Sequence, residues 1–285
     1  MVAMKGLRAV TDEISLEQAL NVIFKYGNNE RDAAPIYDKV LRTLVAPYHR
    51  SLFWGDRLMT LDKSASFKGD PSFAEAMRAV ASSTGENQYD APDKISWRIH
   101  TLVWAGLSAL KVSGHFVECG VFRGDMSWVL TEMVDLAAAG KTLYLYDTFR
   151  GFDERYSSEA DFPEAPQIFD VIDKEYKAPG IYEFVVNRFA PKPYVKVIRG
   201  VVPDVLLEDA PNQIAMMHID MNSPVAERGA LEVLFNRVSR GGIIVFDDYG
   251  WILHRKQKEA VDEFMNNRGH HVLELPTGQG LSIVL

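Results

Sequence analysis

From His115 onward the chain alternates two textures that few architectures accommodate. Short apolar runs (Phe116–Cys119, Thr142–Asp147, Tyr194–Arg199, Ala215–Asp220 and Gly242–Phe246) are separated by stretches with helical spacing, clearest at 125–139, 224–239 and 254–268. Strands apolar on both faces and spaced by helices form a parallel sheet with helices on each side. The end of the chain reads differently. His271–Leu275 and Leu281–Leu285 flank Pro276-Thr277-Gly278-Gln279-Gly280, and a short Gly/Pro loop between two apolar runs reads as a hairpin. The expected fold is therefore α/β: a Rossmann-like sheet, mostly parallel, closed by a C-terminal antiparallel hairpin.

Residues 1 to 113 read as helix after helix. Ser15 and Gln18 form a capping-box pattern, and Gly27 would end that helix. Asp70-Pro71 reads as an N-cap and first-turn proline. Ile95, Ile99, Leu102, Val103 and Leu107 recur at helical spacing, so 93–111 is expected to be an amphipathic helix. The stretch from Ser82 to Pro92, rich in Ser, Gly, Asn and Asp, reads as a linker. We divide the chain into an N-terminal helical segment (1–113) and an α/β domain (114–285). The acidic and aromatic stretch 152–179 is an insertion after the second strand of that domain.

Composition narrows the functional classes. The net charge of −8 argues against a broad basic face for nucleic acid. Cys119 is the only cysteine, which excludes an intrachain disulfide and a cysteine-based zinc site. No apolar run approaches the ~20 residues needed to span a bilayer, and Met1–Ile14 lacks a secretory pattern. A cytoplasmic protein without membrane or nucleic-acid partners is expected.

Three constellations carry chemistry. In Phe116-Val117-Glu118-Cys119-Gly120-Val121-Phe122-Arg123-Gly124 an apolar strand leads through an acid and glycines into a helix. Ligands of open α/β sheets sit beyond the carboxyl ends of the strands, and Gly120 and Gly124 would let backbone approach one closely. The spacing is not the GxGxxG dinucleotide fingerprint. A strand–helix turn without ligand is the plainer reading. Second, Asp147 ends Leu143–Asp147, where an acid can accept hydrogen bonds from ribose hydroxyls; it can equally be a helix cap. Third, Asp220 ends one strand and Asp247-Asp248 end another, both on the ligand side of the sheet. Three converging carboxylates repel unless protons or cations compensate, and oxygen-only ligation suits a hard cation such as Mg²⁺. A metal there would lower the pKa of an acceptor hydroxyl, with Asn222 able to add a carbonyl oxygen. The competing reading has Asp220 and Asp247 capping loops and Asp248 solvated.

With these residues in view, the chain resembles the macrocin O-methyltransferase (TylF/MycF/NovP-like) family over about Trp54 to Leu285. The resemblance rests on Phe116–Gly124, on Asp147-Thr148-Phe149-Arg150-Gly151-Phe152, and on Gly241-Gly242 through Asp247-Asp248-Tyr249-Gly250. A parallel sheet ended by an antiparallel hairpin is also the layout of class I methyltransferases. The resemblance implies S-adenosylmethionine and Mg²⁺ as cofactors and a small hydroxylated acceptor, often a sugar of a natural product. It puts Glu118, Gly120 and Asp147 in the methionine-nucleoside pocket. We extend the cofactor-binding set to Val121, Arg123, Gly124, Thr148 and Asp220. Asp220, Asp247 and Asp248 match the family's metal triad.

One position departs from the family. Some members carry a second acid, assigned as the base, two residues after the first metal aspartate; here it is Asn222, whose amide cannot take up a proton at neutral pH. His254, which follows the Asp247-Asp248-Tyr249 loop, is the candidate base, with Asp220 beside it as a catalytic group. A surface histidine opening a polar helix is the alternative. His100 and His218 read as structural. The 152–179 insertion reads as a lid or as a plain surface insertion, and Gln279 as facing the acceptor or as solvated. The N-terminal segment is expected to serve an acceptor pocket or a homodimer interface. The rival classes are a catalytically degenerate methyltransferase-like binding module, which Asn222 keeps open, and an NAD-dependent oxidoreductase, against which the missing GxGxxG weighs.

Overall fold

The computed structural model of the chain describes Thr43 and residues 45–83 and 95–285. The expected helix around Ser15 to Gly27 lies outside these residues, as does most of the expected linker. Ser82 and Ser83, read as the start of that linker, belong instead to helix α1 (Pro71–Ser83). Asp70 caps α1, its Oδ1 accepting from the amides of Ser72 and Phe73 at 2.8 and 3.1 Å.

The all-helical reading of 1–113 needs correcting. Strands β1 (Leu52–Gly55) and β2 (Leu58–Leu61) pair antiparallel, Gly55 opposite Leu58. The two residues between them, Asp56 and Arg57, both have positive φ (51° and 56°), the backbone a tight hairpin turn demands. Helix α2 (Ser96–Ala109) then follows inside the expected 93–111.

The main sheet uses the predicted runs. Its strands are β3 (His115–Cys119), β4 (Leu143–Asp147), β5 (Val195–Arg199), β6 (Ile214–Ile219), β7 (Val238–Phe246), β8 (Leu273–Glu274) and β9 (Gly280–Ile283), in spatial order β5-β4-β3-β6-β7-β9-β8. The first five are mutually parallel, and the C-terminal hairpin adds antiparallel. Intervening helices are α3 (Asp125–Met133), α4 (Ile168–Tyr176), α5 (Ile181–Phe189), α6 (Leu206–Asp209), α7 (Pro224–Leu234) and α8 (Arg255–Asn266). Two helices stop short of their expected ends. Val134 turns extended after α3, and the Asp135 side chain accepts from Ala138 N to hold a turn. α7 gives way to a 3-10 turn at Phe235–Arg237, because Val238 is already paired with Ile214 in the sheet.

Alternate residues of the strands face opposite cores, as the two-residue strand period requires. Phe116, Leu143, Ala215, Ile243 and Val245 pack against Val80, Ile99, Leu102, Leu130 and Val185 on one side. Val117, Tyr146, Met217, Ile219, Ile244 and Phe246 pack against Leu206, Leu231, Val261 and Phe264 on the other. Among the described residues no helix is long and apolar enough to cross a membrane.

Candidate active site

Parallel register builds the site. Cys119 is paired with Ile219 and Ile219 with Phe246, so the next residue of each strand, Gly120, Asp220 and Asp247, emerges at the same rim. The ladder continues one step past the strands: Asp220 N donates to Cys119 O at 2.8 Å and Asp247 N to Ile219 O at 2.9 Å. Gly120 is compelled here. Its φ is +88°, and a Cβ would lie 1.7 Å from the Asp220 carbonyl oxygen.

A cavity opens beside this rim, bounded by Gly120, Val121, Asp147, Phe149, Asp220 and Tyr176 among others. The space it encloses, open mouth included, is about 710 Å³. Asp147 projects from the end of β4, where its Oδ2 accepts from the amides of Val121 and Phe122 (2.7 and 2.8 Å) and its Oδ1 from Phe149 N (2.7 Å). Phe122 and Phe149 take left-handed φ of 49° and 51° to reach it. One carboxylate thus pins both loops, and Oδ1 keeps acceptor capacity toward the cavity. Thr148 also lines the cavity and donates to Gly151 O. A largely apolar wall with three acids, Asp147, Asp153 and Asp220, fits a nucleoside-bearing cofactor. Phe152, Asp153, Tyr156 and Ser157 of the 152–179 stretch line the same cavity.

Three other members of the expected cofactor set stand back from the wall. Glu118 is buried behind it, bonded to Ser127 and, at 2.9 Å, to His218 Nδ1. Gly124 is the left-handed N-cap of α3, and Arg123 lies over the Phe122 ring.

The acid cluster is denser than the three expected aspartates. Ligand atoms of His218, Asp220 and Asp247 lie within 4.8 Å of one another. His218, read as structural, bridges Glu118 to Asp247, its Nε2 3.6 Å from Asp247 Oδ1. That nitrogen is buried and makes no hydrogen bond. Burial disfavours the imidazolium, yet Asp247 and Glu118 outweigh it and push the pKa of His218 up to about 10. Gln279 is not solvated: it is fully buried and donates to Asp247 Oδ1 at 2.9 Å. Asp248 turns to Arg98, which lies 3.0 Å from its Oδ1 and also bonds Asp247 Oδ2. The same guanidinium reaches Asp56 of the β1–β2 turn through Nε, at 2.7 Å. Arg98 escaped the sequence reading, although a signal was present. Three residues after Ile95 and four before Leu102, it is a charge on the apolar stripe of α2.

Charge in the cluster does not balance. Asp56, Asp220, Asp247 and Asp248 face the single guanidinium of Arg98, while His218 and Glu118 offset each other. Burial raises Asp247, but Arg98 and His218 hold it well below the usual carboxylate range. Asp220 goes the other way: burial, Asp247 and Asp248 push it far above that range. An uncompensated buried carboxyl beside further carboxylate oxygens fits a divalent cation.

The two remaining predicted groups sit at the edge. Asn222, 5% exposed and left-handed (φ 53°), donates to Tyr176 Oη at 2.9 Å. His254 packs edge-on against Phe162, ring centroids 5.3 Å apart, and is absent from the cavity lining.

Comparison with known proteins bears on this geometry. The family model described as Macrocin-O-methyltransferase (TylF) matches residues 99–274, more than half of the chain. That span holds Glu118, Asp147, Asp220, Asp247 and Asp248; Asp56, Arg98 and Gln279 fall outside it. No curated protein sequence matches. Among solved structures, the O-methyltransferase NovP shares the fold at 20% identity, covering 66% of this chain and 79% of NovP with a TM-score of 0.54. CalS11, a calicheamicin methyltransferase, does so at 14% identity, covering 78% of this chain and 93% of CalS11 with a TM-score of 0.52.

Proposed function

Since the chain belongs to the macrocin-O-methyltransferase (TylF) family and is an S-adenosylmethionine-dependent O-methyltransferase, we propose that it methylates a hydroxyl of a sugar or other secondary-metabolite acceptor, with Mg²⁺ held by Asp220, Asp247 and Asp248. One observation carries this reading: Asp220 is at once a wall of the cavity and a member of the acid cluster. Cofactor and cation sites therefore share a border. When bound, S-adenosylmethionine supplies an electrophilic methyl group, and Mg²⁺ supplies the charge that lowers the pKa of a neighbouring hydroxyl.

The chain's own residues do the rest. Asp147 pins the two loops that form the cavity floor and offers Oδ1 to a ribose hydroxyl. Gln279 and His218 converge on Asp247 Oδ1 and orient that carboxylate toward Asp220. The 152–179 segment acts as a lid. Its Phe152 and Tyr176 rings, centroids 5.7 Å apart, exclude water from the cavity. Asn222 is occupied with Tyr176 and takes no proton. His254 is the base in this reading only if the segment it packs on through Phe162 shifts, since it stands outside the cavity lining.

Isothermal titration with S-adenosylhomocysteine is expected to show one site per chain, weakened about tenfold or more in Asp147→Ala. Mn²⁺ binding followed by EPR is expected in the wild type and lost in Asp220→Asn. No heat with millimolar S-adenosylhomocysteine would refute the cofactor site; undiminished Mn²⁺ binding in Asp220→Asn would refute the metal assignment.

A further inference from the structure

The cluster contains a cation of its own. Arg98 is the only basic group with hydrogen bonds to both acids at the end of β7 among the described residues, and its side chain is 14% exposed. Through Nη1 it bonds Asp247 Oδ2 and Asp248 Oδ1; through Nε and Nη2 it holds Asp56 Oδ2 and Oδ1, at 2.7 and 3.4 Å. Asp247 Oδ1 is taken by Gln279 Nε2, which lies 3.4 Å from the carbonyl of Arg98 as well. Both oxygens of Asp247 and one of Asp248 are therefore committed within the protein. Asp220 has no such hydrogen-bond partner among the bonds described, and the repulsion of the other two outweighs the attraction of His218 and Arg98.

A guanidinium and a divalent cation compete for the same carboxylate oxygens. Each oxygen that Arg98 engages has one lone pair fewer to offer a metal, and a positive charge fixed beside the site repels a second one. Arg98 has somewhere else to be held. Asp56 grips the opposite edge of the guanidinium, so contact with β7 can be released without leaving a buried charge unpaired. The β1–β2 turn is placed to receive it, with Arg57 and Arg98 both near the Trp251 ring, at 5.4 and 5.7 Å.

We propose that Arg98 is the resident counter-cation of the acid cluster. It holds Asp247 and Asp248 together in the metal-free chain, competes with the divalent cation for them, and is retained by Asp56 when the cation enters. This rests on the metal reading above. It gives Arg98 a positioning role whose sign is opposite to that of a simple scaffold residue. A scaffold residue, once removed, weakens metal binding; a competitor, once removed, strengthens it.

The test is Mn²⁺ binding by EPR on the full chain, with melting temperature in EDTA measured alongside, for wild type and Arg98→Gln. Tighter Mn²⁺ binding by about tenfold or more in Arg98→Gln, with a lower melting temperature in EDTA, is the expected result. Weaker or unchanged binding in Arg98→Gln, when the wild type binds, overturns the inference and leaves the metal site standing. Binding in Arg98→Gln alone supports it in its strongest form. Binding in neither overturns both. If Arg98→Gln does not fold, Arg98→Lys takes its place. A single ammonium cannot span Asp56 and both β7 acids, so tighter Mn²⁺ binding than wild type is again expected, and equal or weaker binding overturns the inference.

Discussion

Gly120 shows how little freedom a single position can have where two strands meet a ligand site. Both its backbone angle and the Asp220 carbonyl exclude a side chain. Gly120→Ala must shift the end of β6, carrying Asp220 with it. Positive φ and overpacking each cost on the order of 1–3 kcal/mol, so a loss of about 3 kcal/mol in urea denaturation is expected. S-adenosylhomocysteine affinity should fall in the same variant. A variant as stable as wild type would mean the rim tolerates a wider gap than the geometry implies. Glu118 carries the converse lesson. An acid in front of a glycine turn reads as a cofactor contact, and in the fold its carboxylate bonds Ser127 and His218 behind the cavity lining. Spacing along a strand does not say which face a side chain takes once a buried polar partner is available on the other.

At the scale of elements, the 152–179 segment repays attention to its aromatic content. Helix α4 brings Phe169 to Phe152 (ring centroids 5.0 Å apart) and Tyr176 to Phe122 (5.1 Å). The Tyr176 hydroxyl then accepts from Asn222 at 2.9 Å. This is the only polar tie between the helix and the β6 loop among the hydrogen bonds described. Tyr176→Phe leaves the aromatic packing in place and strands the Asn222 amide, at a cost of about 1 kcal/mol. If α4 belongs to a lid, that cost falls on the closed form. Stopped-flow release of S-adenosylhomocysteine should accelerate about fivefold while the melting temperature hardly moves. An unchanged release rate would make the segment a static wall. The β1–β2 hairpin is the other element of consequence. Its turn residue Asp56 reaches the cluster through Arg98, and nothing in an apolar-periodicity argument distinguishes a four-residue strand from a fragment of helix.

For the whole molecule, pH reports how the N-terminal elements dock on the sheet. His100 on α2 stacks on Phe67, ring centroids 4.2 Å apart, and burial lowers its pKa from 6.5. Burial, Lys141 and Lys196 lower His115 likewise. A histidine depressed in the fold binds its proton more readily in the unfolded chain. Stability from these groups is therefore complete above about pH 6.5 and is lost as pH falls through that value toward the folded pKa. Between pH 7 and 5 the melting temperature of the wild type should fall relative to that of His100→Phe, which keeps the stack without the titration. Identical slopes in the two proteins would remove His100 from the account.

Strand and helix order, the C-terminal hairpin and the three sites of acid at strand ends were legible in the sequence because they depend on local periodicity and on a general rule about strand termini. Asp220 and Asp247 meet for a reason already implicit there: parallel strands in register bring their ends to one rim. What the sequence could not supply was the partnership of groups far apart along the chain. Arg98 to Asp247, Gln279 to Asp247, His218 to Glu118 and Asn222 to Tyr176 are separated by 32 to 149 residues. Each pairing is decided by burial, since a polar group removed from water must find whichever partner the fold has brought within about 3 Å. Pattern determined which acids arrive at the rim, and only the packed structure determined which cation is already waiting for them.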